Sequence, residues 1–600
     1  MKQTLLTYLT VTVLSLVSII PVKAEVENNK FTNISALLDS YQQLDRFNGA
    51  ITIKQGNKII YNQANGFANE ITQSKNGSDK IFAIGSLSKQ FTATAILLLA
   101  QQGKLSLDDS IDKHLPYYKN EVGQRATIYH LLTHTAGIPD PMDTGKGIDG
   151  IDDPLMKEKT LPISKEALIA TFKDLPNHFA PGERHEYTNT GYILLADIIE
   201  RITGKAYSEY LQAAIFTPAD MMNTSTFRPV NNKRLVESYN GIGTDKVHTT
   251  KIDGSWLFGA GGLYSTTLDL FKWVDAVNNN KIFKSRKFDN LLGKPVDLGR
   301  NNEFYGYGLE MEELWGEKVY RHDGATAGTI ADFLYFPEQD ITMVIYLNRV
   351  HNVSHIAQSI NMRKNIVQQV SGILLKDNPA KVLAFKSIND DLLAEFVGLY
   401  TFDDNHQVEI IRKDDELHLQ TIGDKSWSLF NLAQNTHLPK EPSTQSSTRL
   451  FELLNTDKLE GLADIFDEKM ASVPLNVFEG FWQQMASELG TLEDNYSYAK
   501  NESNNQIKQR LIFNKGIVDM TVFFNKDGKI EGIQNASPIA KDTNQRFTTN
   551  LITLENGQLM VDGYVLKQQD DLFLKFTRNA NNKITGLSYN QQGQHVATKQ

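Results

Sequence analysis

The 600-residue chain contains no cysteine. Disulfides are therefore excluded, and so is a lipid-modified signal sequence, which needs a cysteine at its cleavage point. A concentrated basic stripe is also missing. With a net charge of −10 and a pI near 5.8, the balance argues against a nucleic-acid partner. Beyond the N-terminus no apolar run reaches the roughly 20 residues a membrane span needs. No fixed-period repeat occurs, and no Gly-x-Ser-x-Gly elbow of the α/β-hydrolase kind. What is present is an ordinary globular composition, 40% apolar and rich in aromatics. That is enough for large cores spread over about two to four domains.

The N-terminus reads as a processing signal over residues 1–24. Lys2 gives the positive start and Leu5 to Ile20 an apolar stretch. Pro21-Val22-Lys23-Ala24 ends on a small residue before Glu25, so cleavage is expected after Ala24. The expectation is an exported protein, periplasmic or secreted, with no stable membrane span after cleavage. Its core is large enough to do without disulfides.

Ser86-Leu87-Ser88-Lys89 is the most informative stretch. It precedes the helix-forming run Gln90 to Ala100, which ends near Gly103, a C-cap candidate. On a helix, positions i and i+3 lie ~60° apart and share a face. A serine hydroxyl is a poor nucleophile until a base takes its proton. Lysine serves as that base only when desolvation or a nearby cation lowers its pKa. The flanking Ile81, Phe82, Ile84 and Leu87 could supply the desolvation. The same tetrapeptide recurs at Ser110–Lys113 and Ser497–Lys500, in polar surroundings with no apolar helix behind it, so both copies read as solvated surface.

Around this motif, periodicity predicts a helix over 32–48 and a hairpin from Gly49–Ile53 to Lys58–Tyr61 across Gln55-Gly56-Asn57. A later hairpin joins Asp332–Phe336 to Ile341–Leu347, and a final helix covers 353–376. Strands at both ends of a largely helical region imply one sheet closed by the first and last segments, a unit spanning 30–378. Within it, Tyr187-Thr188-Asn189 precedes another helix-forming run. His322-Asp323-Gly324-Ala325 lies on a strand, where a glycine lets another backbone or a substrate come close. Gly259-Ala260-Gly261-Gly262 forms a glycine-rich turn before a helix with Asp269 in its first turn.

Ser86–Lys89, Tyr187–Asn189 and His322–Gly324, in that order, resemble the marks of the serine β-lactamases and penicillin-binding proteins, in particular the class C β-lactamase, D-peptidase and esterase branch. Gly103 to Asp109, His130 to Gly137, and Gly261-Gly262-Leu263 with Ser265-Thr266 are similar too. The resemblance covers residues 35–375. It implies an α/β (α+β) fold, an antiparallel sheet flanked by helices beside a helical subdomain carrying Tyr187. It also implies roles. Ser86 would be the acyl-accepting nucleophile, and Lys89 and Tyr187 would share general-base work, Tyr187 later activating water. Asn189 would orient Lys89 and bind substrate. The backbone N–H groups of Ser86 and Ala325, beside Gly324, would form the oxyanion hole. The substrate would be a small molecule or peptide, with no metal and no cofactor.

One departure narrows the reading. Where β-lactamases of this branch usually carry lysine, this chain has His322, mostly neutral near pH 7. Arg321 sits on the opposite face of the strand. Esters or peptides, including D-amino-acid or peptidoglycan-like ones, are thus expected over carboxylate-bearing β-lactams, whose hydrolysis would be weak. The class A Ser-Asp-Asn element is absent. A zinc site at His130 and His134 is disfavoured because Leu131 stands where a zinc protease has its glutamate. The alternative from another class is a non-catalytic penicillin- or peptidoglycan-recognising protein on the same fold. After Asp377-Asn378-Pro379 the pattern turns β-rich. Residues 392–446 and 545–600 resemble a lipocalin-like barrel, interrupted by an NTF2-like α+β cone over 447–540.

Overall fold

The computed structural model describes residues 20–43, 46–140, 159–240, 247–249, 251–298, 302–350, 356–376 and, with interruptions, 394–600. The chain divides into two units, Met1–Val382 and Leu383–Gln600.

The first unit is built on an eight-stranded antiparallel sheet. Strand Gly49–Gln55 turns at Gly56 into Lys58–Asn65, and on its other side pairs with Ile341–Leu347 from Gly49↔Leu347 to Gln55↔Ile341. The first and last strands of the unit thus close the sheet together. It continues through Thr329–Phe336 and Glu317–Thr326 to the short strands Glu310–Leu314, Phe304–Tyr305 and Val296–Asp297. Every residue of Thr329–Phe336 and Ile341–Leu347 is buried, which explains their nearly continuous apolar sequence: both sheet faces are covered. Helix Thr267–Asn278 packs on Gly49–Gln55 and Ile341–Leu347. Helix Ile20–Gln43 packs on Lys58–Asn65 and on the last helix, Ile356–Lys376.

Two helix boundaries depart from the sequence reading. The first helix runs Ile20–Gln43 rather than 32–48: it stops before Arg46, whose amide bonds the Tyr41 carbonyl (2.8 Å), and Phe47 is buried in the core before the strand begins. Residues 20–24 of the expected leader lie in this helix, and 1–19 fall outside the described residues. The last helix begins at Ile356; residues 351–355 are likewise outside.

The helical part centres on Lys89–Gln101, which packs against Thr190–Thr203, itself in contact with Ile128–Leu132. Lys89–Gln101 is buried on all sides from Lys89 to Leu99, as the run of small and apolar residues from Phe91 onward requires. Phe91 anchors it against Trp273 (ring centroids 5.1 Å) and Phe216 (5.6 Å).

In the second unit, eight strands form a closed barrel: Gly398–Asp403, His406–Lys413, Glu416–Ile422, Thr548–Thr553, Leu559–Val561, Phe573–Arg578, Ile584–Asn590 and Gln594–Lys599. The chain leaves it after Ile422 and returns at Thr548 to pair Leu417 with Leu551, and closure comes from Tyr400↔Lys599. Between these points lie helices Gln445–Asn455 and Leu475–Leu489 and an antiparallel sheet of Leu492–Asn501, Gln506–Phe513, Gly516–Phe524 and Ile530–Asn535, with an apolar core of their own. Among the described residues no helix is long and apolar enough to cross a membrane.

Candidate active site

Ser86 sits in a single 3-10 turn, Gly85–Ser88, that runs directly into helix Lys89–Gln101. The neighbouring Ser88 fastens this turn: its hydroxyl donates to the Gly85 carbonyl (2.6 Å) and accepts from the Leu263 amide (3.1 Å). Lys89 is 0% exposed, and its Nζ donates to Ser86 Oγ (3.0 Å), Asn189 Oδ1 (2.9 Å) and the Ala260 carbonyl (2.9 Å). Three acceptors satisfy the three donors of an ammonium. Burial nevertheless dominates and brings its pKa down to about 7, with the Asp140 and Asp323 carboxylates opposing. The amine is therefore poised between its two forms near neutrality.

Tyr187 and Asn189 approach from the segment that enters helix Thr190–Thr203. Lys89 Nζ lies 4.8 Å from the Tyr187 ring centroid. Although Tyr187 is 40% exposed as a residue, its oxygen lies among enough neighbours that desolvation raises the phenol well above its usual value, against a hydrogen bond to Ser86. Tyr187 is thus neutral near pH 7.

His322 comes from strand Glu317–Thr326 and is 1% exposed. Its Nδ1–H donates to the Asp323 carbonyl (2.6 Å), which leaves Nε2 to accept from the Tyr305 hydroxyl (3.1 Å). Burial lowers its pKa to about 4, so the ring is uncharged at neutral pH. Arg321 points away and is held by Glu312 (2.6 Å) and Asp332 (2.9 Å). Arg363, 1% exposed, binds Asp323 (2.6 Å) on the same strand. Arg321 and Arg363, the buried cations beside His322, are both held in ion pairs, and the ring itself carries no charge.

Two glycines bring the strand onto the serine. A Cβ on Gly324 would meet the Ile84 carbonyl oxygen at 2.1 Å and the Ser86 nitrogen at 3.0 Å. One on Gly85, whose φ is +53°, would meet the Ala325 nitrogen at 2.8 Å. The Ser86 and Ala325 backbones therefore lie side by side with no room for a side chain between them. All seven residues expected from the sequence, Ser86, Lys89, Tyr187, Asn189, His322, Gly324 and Ala325, meet in this one place.

A family model described as "Beta-lactamase" matches residues 34–364, more than half of the chain. The chain belongs to the β-lactamase family. A penicillin-binding protein of Bacillus subtilis strain 168 is 27% identical over 423 residues, covering 68% of this chain and 90% of that protein. Protein flp of Staphylococcus aureus strain N315 is 27% identical over 336 residues, covering 52% of this chain and 63% of that protein. The octameric penicillin-binding protein homologue from Pyrococcus abyssi shares the fold, with a TM-score of 0.53 and 20% identity over 90% of this chain and 98% of that one. Residues 447–533 match a family described as a protein of unknown function, DUF3887. Membership places the first unit among serine hydrolases and acyl transferases.

Three parts of the site escaped the sequence reading. Tyr305 lies on a two-residue strand with no local signal. The Ala260 carbonyl is a backbone group of the glycine-rich turn. The His134 ring packs against Tyr187 at 4.3 Å between centroids, tilted by 38°. It does not share a helix with His130, because that helix ends at Leu132 and His134 has φ +56°. His130 instead caps the helix, its Nδ1 accepting from the Thr127 amide (3.1 Å).

Proposed function

We propose that this chain is an exported serine hydrolase that forms an acyl-serine at Ser86 on uncharged esters or on peptides, D-amino-acid or peptidoglycan-like ones included, with weak turnover of β-lactams. The observation that carries the reading is Lys89 Nζ held 3.0 Å from Ser86 Oγ at a fully buried position, where burial brings its pKa to about 7. A base with a pKa near the working pH is the most effective proton acceptor.

In this reading the Ser86 hydroxyl attacks the substrate carbonyl carbon, and its proton passes to the neutral Lys89 amine. Tyr187, whose phenol is raised well above its usual range, acts as a neutral relay rather than as a standing phenolate. The carbonyl oxygen takes the negative charge between the Ser86 and Ala325 amides; such a donor is worth about 10²–10³ in rate. Collapse of the intermediate expels the alcohol or amine, which receives the proton. Water, activated through Tyr187, then releases the acid and regenerates Ser86. His322, uncharged and with both ring nitrogens already hydrogen-bonded, presents no cation to the acyl portion, which favours groups without a carboxylate. For the second unit we propose a lipocalin-like barrel carrying an NTF2-like insertion, as support for the catalytic unit or as a substrate-facing surface.

A panel of p-nitrophenyl esters, D-alanyl peptides and nitrocefin, with Ser86→Ala as control, tests the reading. Turnover of esters or peptides ahead of nitrocefin, with fluorophosphonate attached to Ser86, is expected. A protein neither labelled at Ser86 nor active on the panel would be a non-catalytic recognition protein instead.

A further inference from the structure

The phrase His130 to Gly137, with the residues just after it, takes no part in the chemistry above. In space the run from Leu132 to Asp140 lies along Glu186 to Tyr192 and is bonded to it repeatedly. The Tyr192 hydroxyl donates to the Leu132 carbonyl (3.0 Å), and the Glu186 amide to the His134 carbonyl (2.9 Å). The Thr188 amide donates to His134 Nδ1 (3.3 Å), and the Thr190 hydroxyl to the Pro139 carbonyl (2.6 Å). The run ends on Asp140, whose Oδ2 accepts both the backbone amide of Asn189 (2.6 Å) and its side-chain Nδ2 (3.0 Å).

A carboxamide has two nearly isosteric ends, and only its surroundings decide which end faces which neighbour. A carboxylate accepts and never donates, so Nδ2 of Asn189 must face Asp140, and Oδ1 must face Lys89, where it accepts from Nζ at 2.9 Å. We infer that Asp140 is a positioning residue: it fixes the orientation of the Asn189 amide, and through it holds the Lys89 amine on Ser86. The inference rests on the reading that Ser86 is acylated.

The Asp140 charge supplies a second handle that a merely structural contact would lack. Titratable groups face Lys89 from every side: Asp140 and His134 from this run, Tyr187 and Tyr192 from the segment beside it, His322 and Asp323 from the strand. Of these, the Asp140 charge opposes most strongly the desolvation that lowers Lys89. Removing its charge while keeping its shape should lower Lys89 further and extend activity to lower pH.

The test uses the full chain and two probes: the rate of fluorophosphonate attachment to Ser86, and the pH profile of kcat/KM on a p-nitrophenyl ester. Asp140→Asn keeps an oxygen that accepts from the Asn189 backbone. It is expected to move the acid limb down by on the order of 1 pH unit. Asp140→Ala frees the amide and is expected to slow attachment by about 10²-fold, as displacement of a catalytic group does. Asp140→Glu should recover part of that loss. The inference is overturned if folded Asp140→Asn keeps both the wild-type limb and the wild-type rate, or if folded Asp140→Ala keeps the wild-type rate. Wild-type protein that is never labelled at Ser86 overturns the parent reading, and this inference with it.

Discussion

Ser86–Lys89 and Ser110–Lys113 carry the same Ser-x-x-Lys spacing, and the structure treats them in opposite ways. Lys89 is 0% exposed and donates to Ser86. Lys113 has a side chain 60% exposed and turns to Asp109 (2.6 Å), while Ser110, at the start of the short helix Ile111–His114, donates to Asp112 (2.5 Å). The third copy departs from the solvated surface expected of it: Ser497 is buried on a strand and donates to Gln509 (2.8 Å). Spacing alone lets two side chains meet. Whether they become a base and a nucleophile depends on what excludes water from the lysine and what anchors it. At Lys89 the exclusion comes from the helix core and the anchors from Asn189 and Ala260.

The largest effect should separate the two pairs outright. Ser86→Ala is expected to lower kcat/KM on a p-nitrophenyl ester by on the order of 10³-fold or more, with thermal stability kept. Ser110→Ala should leave turnover within experimental error. Equal losses in the two variants would mean that burial does not set the chemistry. Next in size is Gly324→Ala. Its Cβ cannot fit 2.1 Å from the Ile84 oxygen, so the strand must move away from Ser86 and take the Ala325 amide with it. A loss of about 10²-fold in kcat, larger than any change in KM, is expected from losing one oxyanion donor. A variant with full kcat would show that the Ala325 amide is not used.

Local signals in the chain explain why so much of this is legible in the sequence. The helix behind Ser86, the hairpins at either end of the sheet and the order of the three motifs are all short-range patterns. That one sheet is closed by the first and last segments also followed, because both edges of a helical region read as strands, whereas the register Gly49↔Leu347 did not. What stayed hidden depends on contacts distant in sequence. Tyr305 reaches His322 from a strand of two residues, too short to leave a period. Asp140 looks like a loop residue until the fold lays it on Asn189. His134 reads as one turn after His130 on a helix, but the helix stops at Leu132 and the chain turns through a left-handed residue. The C-terminal boundary of the first helix was missed because no glycine or proline stands near Gln43 to announce it.

The contrast between a neutral site and charges spent elsewhere can be probed at His322. His322→Lys would place a permanent cation where the wild type has an uncharged ring and leave the Arg321 and Arg363 ion pairs untouched. A charge-assisted hydrogen bond to a carboxylate is worth about 1.5–3 kcal/mol. Acylation by a carboxylate-bearing fluorescent penicillin should therefore rise about tenfold relative to that by a neutral ester. If the ratio is unchanged, His322 does not face the acyl portion, and selectivity lies with other residues.

The finest distinction between the two lysines is in pH. Lys89 accepts a proton only as the free amine, so kcat/KM should be low in acid and rise through a single inflection near its pKa of about 7. His322, lowered to about 4, stays neutral through this range and should add no second step between pH 5 and 8. Stability should carry the same signature with a definite sign. The folded pKa of Lys89 lies below that of an unfolded lysine, ~10.4, so between these values the unfolded chain binds more protons. Stability must then increase as pH rises through that window. Lys89→Met removes this slope together with the activity, whereas Lys113→Met removes neither. Urea titrations at pH 7 and pH 9 on the three proteins make the comparison. A wild-type stability gain that persists in Lys89→Met would assign the slope to another group and detach the activity limb from Lys89.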